Sequence, residues 1–132
     1  MASIFSRIIR GEIPCHKVAE DDQFLAFLDI APLRMGHTLV IPKLEVDRFF
    51  DLPTGVLRDI MPFAQAVARR IEAVVPCDRV GVAVIGLEVP HAHVHLIPID
   101  RMSDMDLGRP KLSPSHGELA ELSAALRATD PA

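Results

Sequence analysis

Three histidines alternate with small or apolar residues in the stretch Glu88-Val-Pro-His91-Ala-His93-Val-His95-Leu-Ile-Pro98. Side chains on a β-strand point to opposite faces in turn, so this spacing predicts a strand over residues 91–98. His91, His93 and His95 then share one face, about 7 Å apart at a rise of about 3.3 Å per residue. Ala92, Val94 and Leu96 face a core on the other side. An imidazole near neutral pH is a nucleophile, a proton shuttle, a hydrogen-bond donor or a metal ligand. A row of three on a polar strand face therefore marks a chemical site.

The rest of the chain reads as elements arranged around that strand. Ser3 to Arg10 has the pattern of a short amphipathic helix, with Ile4, Phe5, Ile8 and Ile9 apolar and Gly11 as its stop. Lys17–Glu20 and Phe24–Leu28 flank the polar turn Asp21-Asp22 and predict a hairpin. Asp29 to Gly36 is a loop punctuated by proline and glycine, and His37–Pro42 a third, central strand. Thr54 is expected to cap a long helix in which Leu57, Ile60, Met61, Ala64, Val67, Ala68, Ile71 and Val75 recur at three- and four-residue spacing. Pro62 within it predicts a kink or break, and Pro76 its end. Arg79–Ile85 reads as a fourth strand. Beyond Pro98 the chain is polar and rich in Pro, Gly and Met up to Pro114. Ser115-His-Gly-Glu118 then forms a capping box ahead of a helix using Leu119, Leu122 and Leu126. The order α-β-β-β-α-β-β-α argues for an α+β domain around an antiparallel sheet, and the length of 132 residues suits a single domain.

Charge and cysteine content narrow the partners. The net charge is −4 and the pI about 5.8, with no basic run. Sequence-independent binding to nucleic acid or an anionic membrane is not expected, and an anionic substrate must be held by local groups. Cys15 and Cys77 lack metal or redox spacing and read as reduced thiols. With no leader-like or membrane-length apolar run, the expected location is the cytoplasm. His16 and His116 sit in polar contexts and read as surface residues.

Two chemistries suit the histidine row. His-x-His on a strand can place two imidazoles on one cation, with Glu88 or His37 as further ligands, but neither is specific enough to complete a set. Alternatively a neutral imidazole attacks phosphorus, and neighbouring histidines bind the phosphate oxygens and protonate the leaving group.

His91-Ala-His93-Val-His95-Leu-Ile97 resembles the pattern His-φ-His-φ-His-φ-φ of the histidine triad (HIT) superfamily. Ile4–Pro14, Ala26–Ile30 and Gly36–Lys43 each look like that family's corresponding blocks, in the same order. The most similar branch is the Hint-like nucleoside phosphoramidases; the uridylyltransferase branch has Gln where this chain has His95. The resemblance implies a single HIT domain over 1–132, with its core at about 4–100 and a C-terminal tail and helix at 101–132. It also implies a five-stranded antiparallel sheet, one long helix and short terminal helices, with the sheet extended across a homodimer. The implied activity is hydrolysis of purine nucleoside 5′-phosphoramidates or related nucleotidyl conjugates to the monophosphate, with no metal or other cofactor. Alternatives are dinucleoside polyphosphate hydrolysis and a nucleotide-binding module with vestigial activity.

The resemblance also assigns residues. His93 would be the nucleophile forming a nucleotidyl-histidine intermediate, and His95 would contact the phosphate oxygens and leaving group. His91 and His37 would complete a relay that sets the tautomer and charge of His93. Asp29 would accept hydrogen bonds from the ribose hydroxyls, and Ile4, Phe5, Ile8, Phe27, Leu28 and Ile30 would enclose the purine. The Hint pattern usually carries an Asn on the strand before the histidine row and a Gln in the intervening turn. Arg79 to Ile85 holds no Asn and the turn reads Gly86-Leu87-Glu88, so a neutral phosphate-binding side chain is missing and a carboxylate stands close by. Backbone N–H groups of Gly86 to Val89 could still cradle a phosphate. The Cys-x-x-Cys of zinc-carrying relatives is Ser3-Ile-Phe-Ser6 here.

Overall fold

The fold is seen in a computed structural model that describes residues 2–129. The elements follow the expected order: α1 Ile4–Ile9, β1 Lys17–Glu20, β2 Phe24–Leu28, β3 Thr38–Pro42, α2 Thr54–Val74, β4 Arg79–Ala83, β5 Val94–Ile99 and α3 His116–Ala128. Short 3-10 turns at Phe49–Asp51 and Met102–Met105 complete it. The strands form one antiparallel sheet in the order β1-β2-β3-β5-β4, so β3 is central and β4 an edge.

The two faces of the sheet have different covers. Phe24, Ala26 and Leu28 of β2, Val40 of β3 and Val94 and Leu96 of β5 pack against Ile60, Ala64, Val67 and Ile71 of α2 and Leu119 and Leu126 of α3. Leu25 and Phe27 of β2 and Leu39 and Ile41 of β3 point the other way, onto Phe5 of α1. With both faces covered, β2 and β3 are buried at every position, which is why they read as continuous apolar runs. His95 is paired with Leu39, and residues paired across strands share a face, so the histidine side of β5 lies with α1.

Several local expectations change. Helix α2 has Pro53 as its N-cap, and Thr54 is its first helical residue without a capping hydrogen bond. Pro62 neither ends nor interrupts α2, which is helical from Thr54 to Val74. Pro62 and Arg58, whose carbonyl loses its helical partner, are both exposed, so water can take the free carbonyl. The histidine strand begins at Val94, not His91, and β4 stops at Ala83 rather than Ile85. After Pro90 the backbone is diverted: His91 N–H donates to the Val89 carbonyl at 2.8 Å and Ala92 N–H to Val46 at 2.7 Å. Met61, expected on the apolar side of α2, is 46% exposed. The Ser115–Glu118 capping box is formed in both directions. Gly36, at φ +104°, turns the chain into β3 where a Cβ would stand 3.1 Å from Val75 Cγ2. No helix among the described residues is long and apolar enough to cross a membrane.

Candidate active site

A cleft of about 460 Å³ opens on the α1 side of the sheet. His37, His93 and His95 line it together with Asp29 and Glu88. Ile4, Phe5, Ile8, Phe27, Leu28 and Ile30 form its apolar part, and Gly86 and Val89 border it from the turn before the histidine row. Ile4 is 48% exposed and Ile30 66%, so the cleft has apolar lips that a flat ring could enter between. Of the residues expected at the site, His91 alone does not line the cleft. It is fully buried beneath, edge-on to Phe5, with ring centroids 5.7 Å apart.

Fixed hydrogen-bond partners determine which nitrogen of each ring carries the proton. His93 Nδ1 stands 2.7 Å from the carbonyl oxygen of His91. A carbonyl only accepts, so Nδ1 carries the proton and donates. The neutral ring then keeps an unprotonated Nε2, the nitrogen that can act as a nucleophile. Phe5 packs edge-to-face on this ring at 5.2 Å between centroids and holds its plane.

His37 and His95 form a second chain. The Leu33 backbone N–H donates to His37 Nδ1 at 3.1 Å, so the proton of neutral His37 sits on Nε2. That nitrogen faces His95 Nδ1 at 3.0 Å, making His95 Nδ1 the acceptor and leaving its proton on Nε2. Burial, followed by the charges of His95 and Lys111, holds His37 down to about 3. Burial, with the charges of His93 and Lys111, holds His95 down to about 4. Both rings are therefore neutral at pH 7, and the Nε2–H of His95 can donate a hydrogen bond to a leaving group. The expected relay to His93 is thus divided: His91 acts on His93, whereas His37 acts on His95. The rings of His93 and His95 lie 5.0 Å apart, closer than the backbone repeat of a strand.

His91 is locked by residues from distant parts of the chain. Its Nε2–H donates to the Pro42 carbonyl at 2.8 Å, so Nδ1 must accept, and the Ser3 hydroxyl donates to it at 2.7 Å. Ser3 Oγ in turn accepts the Ser6 N–H as the N-cap of α1. Glu45 Oε1 accepts from Ser6 Oγ at 2.6 Å and Ser3 N–H at 2.7 Å. The Ser6 hydroxyl foremost, then the Ser3 N–H, holds the Glu45 carboxyl down to about 2. Sequence reasoning singled out the Ser3-x-x-Ser6 pair but not Glu45, which carries no local signal.

Asp29 follows β2, its Oδ1 accepting the Ala31 N–H at 2.9 Å. Its Oδ2 is 3.7 Å from His37 Nε2, too far for a hydrogen bond. Burial is the main cause that raises this carboxyl above its ordinary value, with the charge of Glu88 adding to it. Two further residues, Leu107 and Lys111, reach the cleft from the polar segment after β5.

The HIT domain family model matches residues 10–102. The adenosine 5′-monophosphoramidase HNT1 of Saccharomyces cerevisiae is 36% identical over 133 residues, spanning 96% of this chain and 82% of the yeast protein. Among solved structures, a HIT-like protein of Bartonella henselae involved in cell-cycle regulation superposes with a TM-score of 0.82 at 33% identity, covering 96% of this chain and 95% of that one. A zinc-bound histidine triad family protein of Mycobacterium smegmatis gives 0.81 at 30% identity, covering 97% and 92%.

That zinc-bound neighbour prompts a test of fit. Zinc takes thiolate, imidazole and carboxylate ligands. Here the Cys-x-x-Cys positions are serines, and Ser3, Ser6, Glu45 and His91 already satisfy one another. That quartet suits a hydrogen-bonded network and not zinc. Asp29, His37 and His95 do bring one donor atom each within 4.8 Å of one another. Within that set His37 Nε2 and His95 Nδ1 already hydrogen-bond to each other at 3.0 Å.

Proposed function

Because this chain belongs to the HIT family, we propose that it is a nucleotide hydrolase that cleaves purine nucleoside 5′-phosphoramidates or related nucleotidyl conjugates to the monophosphate. The observation that carries this reading is the 2.7 Å contact between His93 Nδ1 and the His91 carbonyl. It presents an unprotonated Nε2 to a cleft whose other half is apolar and whose rim carries a carboxylate.

The purine enters between Ile4, Phe5, Ile8, Phe27 and Ile30, and Asp29 accepts from the ribose hydroxyls. His93 Nε2 attacks the α-phosphorus, a P–N bond forms to the ring, and the bond from phosphorus to the leaving amine breaks. The leaving nitrogen, accepting a hydrogen bond from His95 Nε2–H, takes a proton from solvent and departs as the free amine. Water then attacks the nucleotidyl-His93 phosphorus, releasing a proton to solvent, and the monophosphate leaves with His93 restored. No metal takes part in either step.

A second copy completes the assembly in this reading. On edge strand β4, Val80 packs on the α2 side of the sheet, so Val82 shares that face and is 48% exposed. Exposed Met61 on α2 adds to an apolar surface beside an open strand edge. Homodimerisation through β4 and α2 would cover both.

The test is AMP release from adenosine 5′-phosphoramidate by wild type and His93→Ala, each with and without chelator. Turnover that survives chelator and falls by on the order of 10⁴ in the variant is expected for loss of a nucleophile. Chelator-sensitive turnover would overturn the metal-free step. A wild type that binds AMP but releases none would favour a nucleotide-binding module, the reading supported by Glu88 standing where a neutral phosphate binder is expected.

A further inference from the structure

We propose that Lys111 is a phosphate-binding residue, delivered to the histidine cleft by a strap that the chain forms after β5. The proposal rests on the nucleotide reading above and adds to it the group that holds the anion.

The path of the strap is fixed at several points. Asp104, in the 3-10 turn Met102–Met105, accepts from the backbone N–H groups of Asp100 and Arg101 and pairs with Arg34 at 3.0 Å. Arg109 reaches the same Asp104 at 3.5 Å and donates to the Leu33 carbonyl at 3.3 Å. The Leu112 N–H donates to the Pro32 carbonyl at 2.8 Å. Pro32, Leu33 and Arg34 belong to the loop that carries Asp29 at one end and His37 at the other. Lys111 is therefore held between two anchors on the loop that builds the site, and it lines the cleft with Asp29, His37, His93 and His95.

The charges of the cleft call for such a group. Asp29 and Glu88 are its other charged lining residues, and both are acidic. His37 and His95 are neutral at pH 7 for the reasons given above, so they offer a phosphate hydrogen bonds but no charge. A nucleotide brings at least one negative charge to this place. Lys111 is the one Lys or Arg among the described residues lining the cleft. Its ammonium donates to the carbonyls of Leu107 and Arg109, which uses two of three donors and neutralises none of its charge. Lys17 and Lys43 both pair with Glu20, whereas Lys111 forms no ion pair among the described residues. The positive charge of Lys111 acts to lower the proton affinity of Asp29, His37 and His95, an effect secondary to burial at each. An anchored, unneutralised cation beside neutral histidines is the arrangement that would offset both the nearby carboxylates and the missing neutral side chain.

The experiment compares AMP with adenosine as ligands of the full chain, by titration calorimetry, for wild type, Lys111→Ala and Lys111→Arg. Losing one charge-assisted hydrogen bond should weaken AMP by about tenfold in Lys111→Ala. Adenosine affinity should be unchanged, and Lys111→Arg should recover most of the loss. Added salt should weaken AMP binding more in wild type than in Lys111→Ala. Equal AMP affinity in wild type and Lys111→Ala overturns the proposal. So does a parallel loss for adenosine, which would make the strap a wall of the base pocket. Wild type that binds AMP in a Lys111-dependent manner but does not cleave the phosphoramidate sinks the proposed reaction and leaves this assignment standing. Wild type that does not bind AMP overturns both.

Discussion

His37 Nε2 lies 3.0 Å from His95 Nδ1, and the backbone N–H of Leu33 decides the direction of that hydrogen bond. A main-chain donor cannot exchange roles, so the protons of two imidazoles are set by one amide. His37→Gln removes the ring that transmits this choice, and His95 is then free to take the other tautomer. The expected result is a fall in kcat of about tenfold, the size of one hydrogen bond at the transition state, with KM for the nucleotide little changed. An unchanged kcat in a folded His37→Gln variant would remove His37 from the proposed mechanism.

Stability should fall on mild acidification because buried histidines resist protonation. His37 and His95 are held to about 3 and about 4, and burial also lowers His91. Above their ordinary value of 6.5 the rings are neutral in both the folded and unfolded chain, and pH has no leverage through them. Below it the unfolded chain takes up protons that the folded one refuses, so their contribution is present above about pH 6.5 and is lost towards pH 4. Asp29, whose value is raised, acts in the opposite sense near its own titration. Glu45, lowered to about 2, adds to the loss only below its ordinary 4.5. Urea midpoints between pH 7 and 5 follow the histidines, and His95→Gln should flatten the slope. A midpoint independent of pH in that window would contradict the neutral row.

Ser3→Ala removes both the N-cap of α1 and the only hydroxyl donating to His91 Nδ1 among the described residues within 3.0 Å. A buried ring nitrogen without its partner and a lost cap should together cost about 2 kcal/mol. Chemical unfolding of the variant measures it. A cost under about 0.5 kcal/mol would mean that another donor, such as the Ser6 hydroxyl at 3.5 Å, has taken over.

Val82→Asp places a charge on the exposed apolar edge of β4 while leaving the cleft untouched. If a second copy pairs there, wild type should sediment as a dimer and the variant as a monomer at micromolar concentration. A wild type that is monomeric throughout that range would sink the proposed assembly.

Much of the fold was legible because its signals are local. The apolar runs at residues 24–28 and 37–42, the polar turn between the first two strands and the long helical stripe each need only neighbours within a few positions. Pro62 misled for the same reason: the local rule omits that its helix face is wet. The strand start at Val94 depends on Val46 accepting the Ala92 N–H, which no window around residue 92 contains. At the site, His37, His93, His95 and Asp29 were marked by motif, and they meet in one cleft. Glu45 and Lys111 were not, since an ordinary surface-type residue gains its place only from distant partners. The separation of His91 from the cleft was hidden too, because alternation alone assigns all three rings equivalent positions.

The Ser3–His91 hydrogen bond joins positions 88 apart in the chain. A contact that closes so long a loop gains nothing until most of the intervening polypeptide is ordered, so docking of α1 belongs late in folding. The residue whose backbone carbonyl orients His93 thus receives its last partner after the sheet is assembled. A nascent chain still short of His91 lacks the bond that locks its first helix, although Phe5 can already pack on β2 and β3. Assembly order makes α1 the final latch, and refolding followed by hydrogen exchange should show its amides protected after those of β2 and β3.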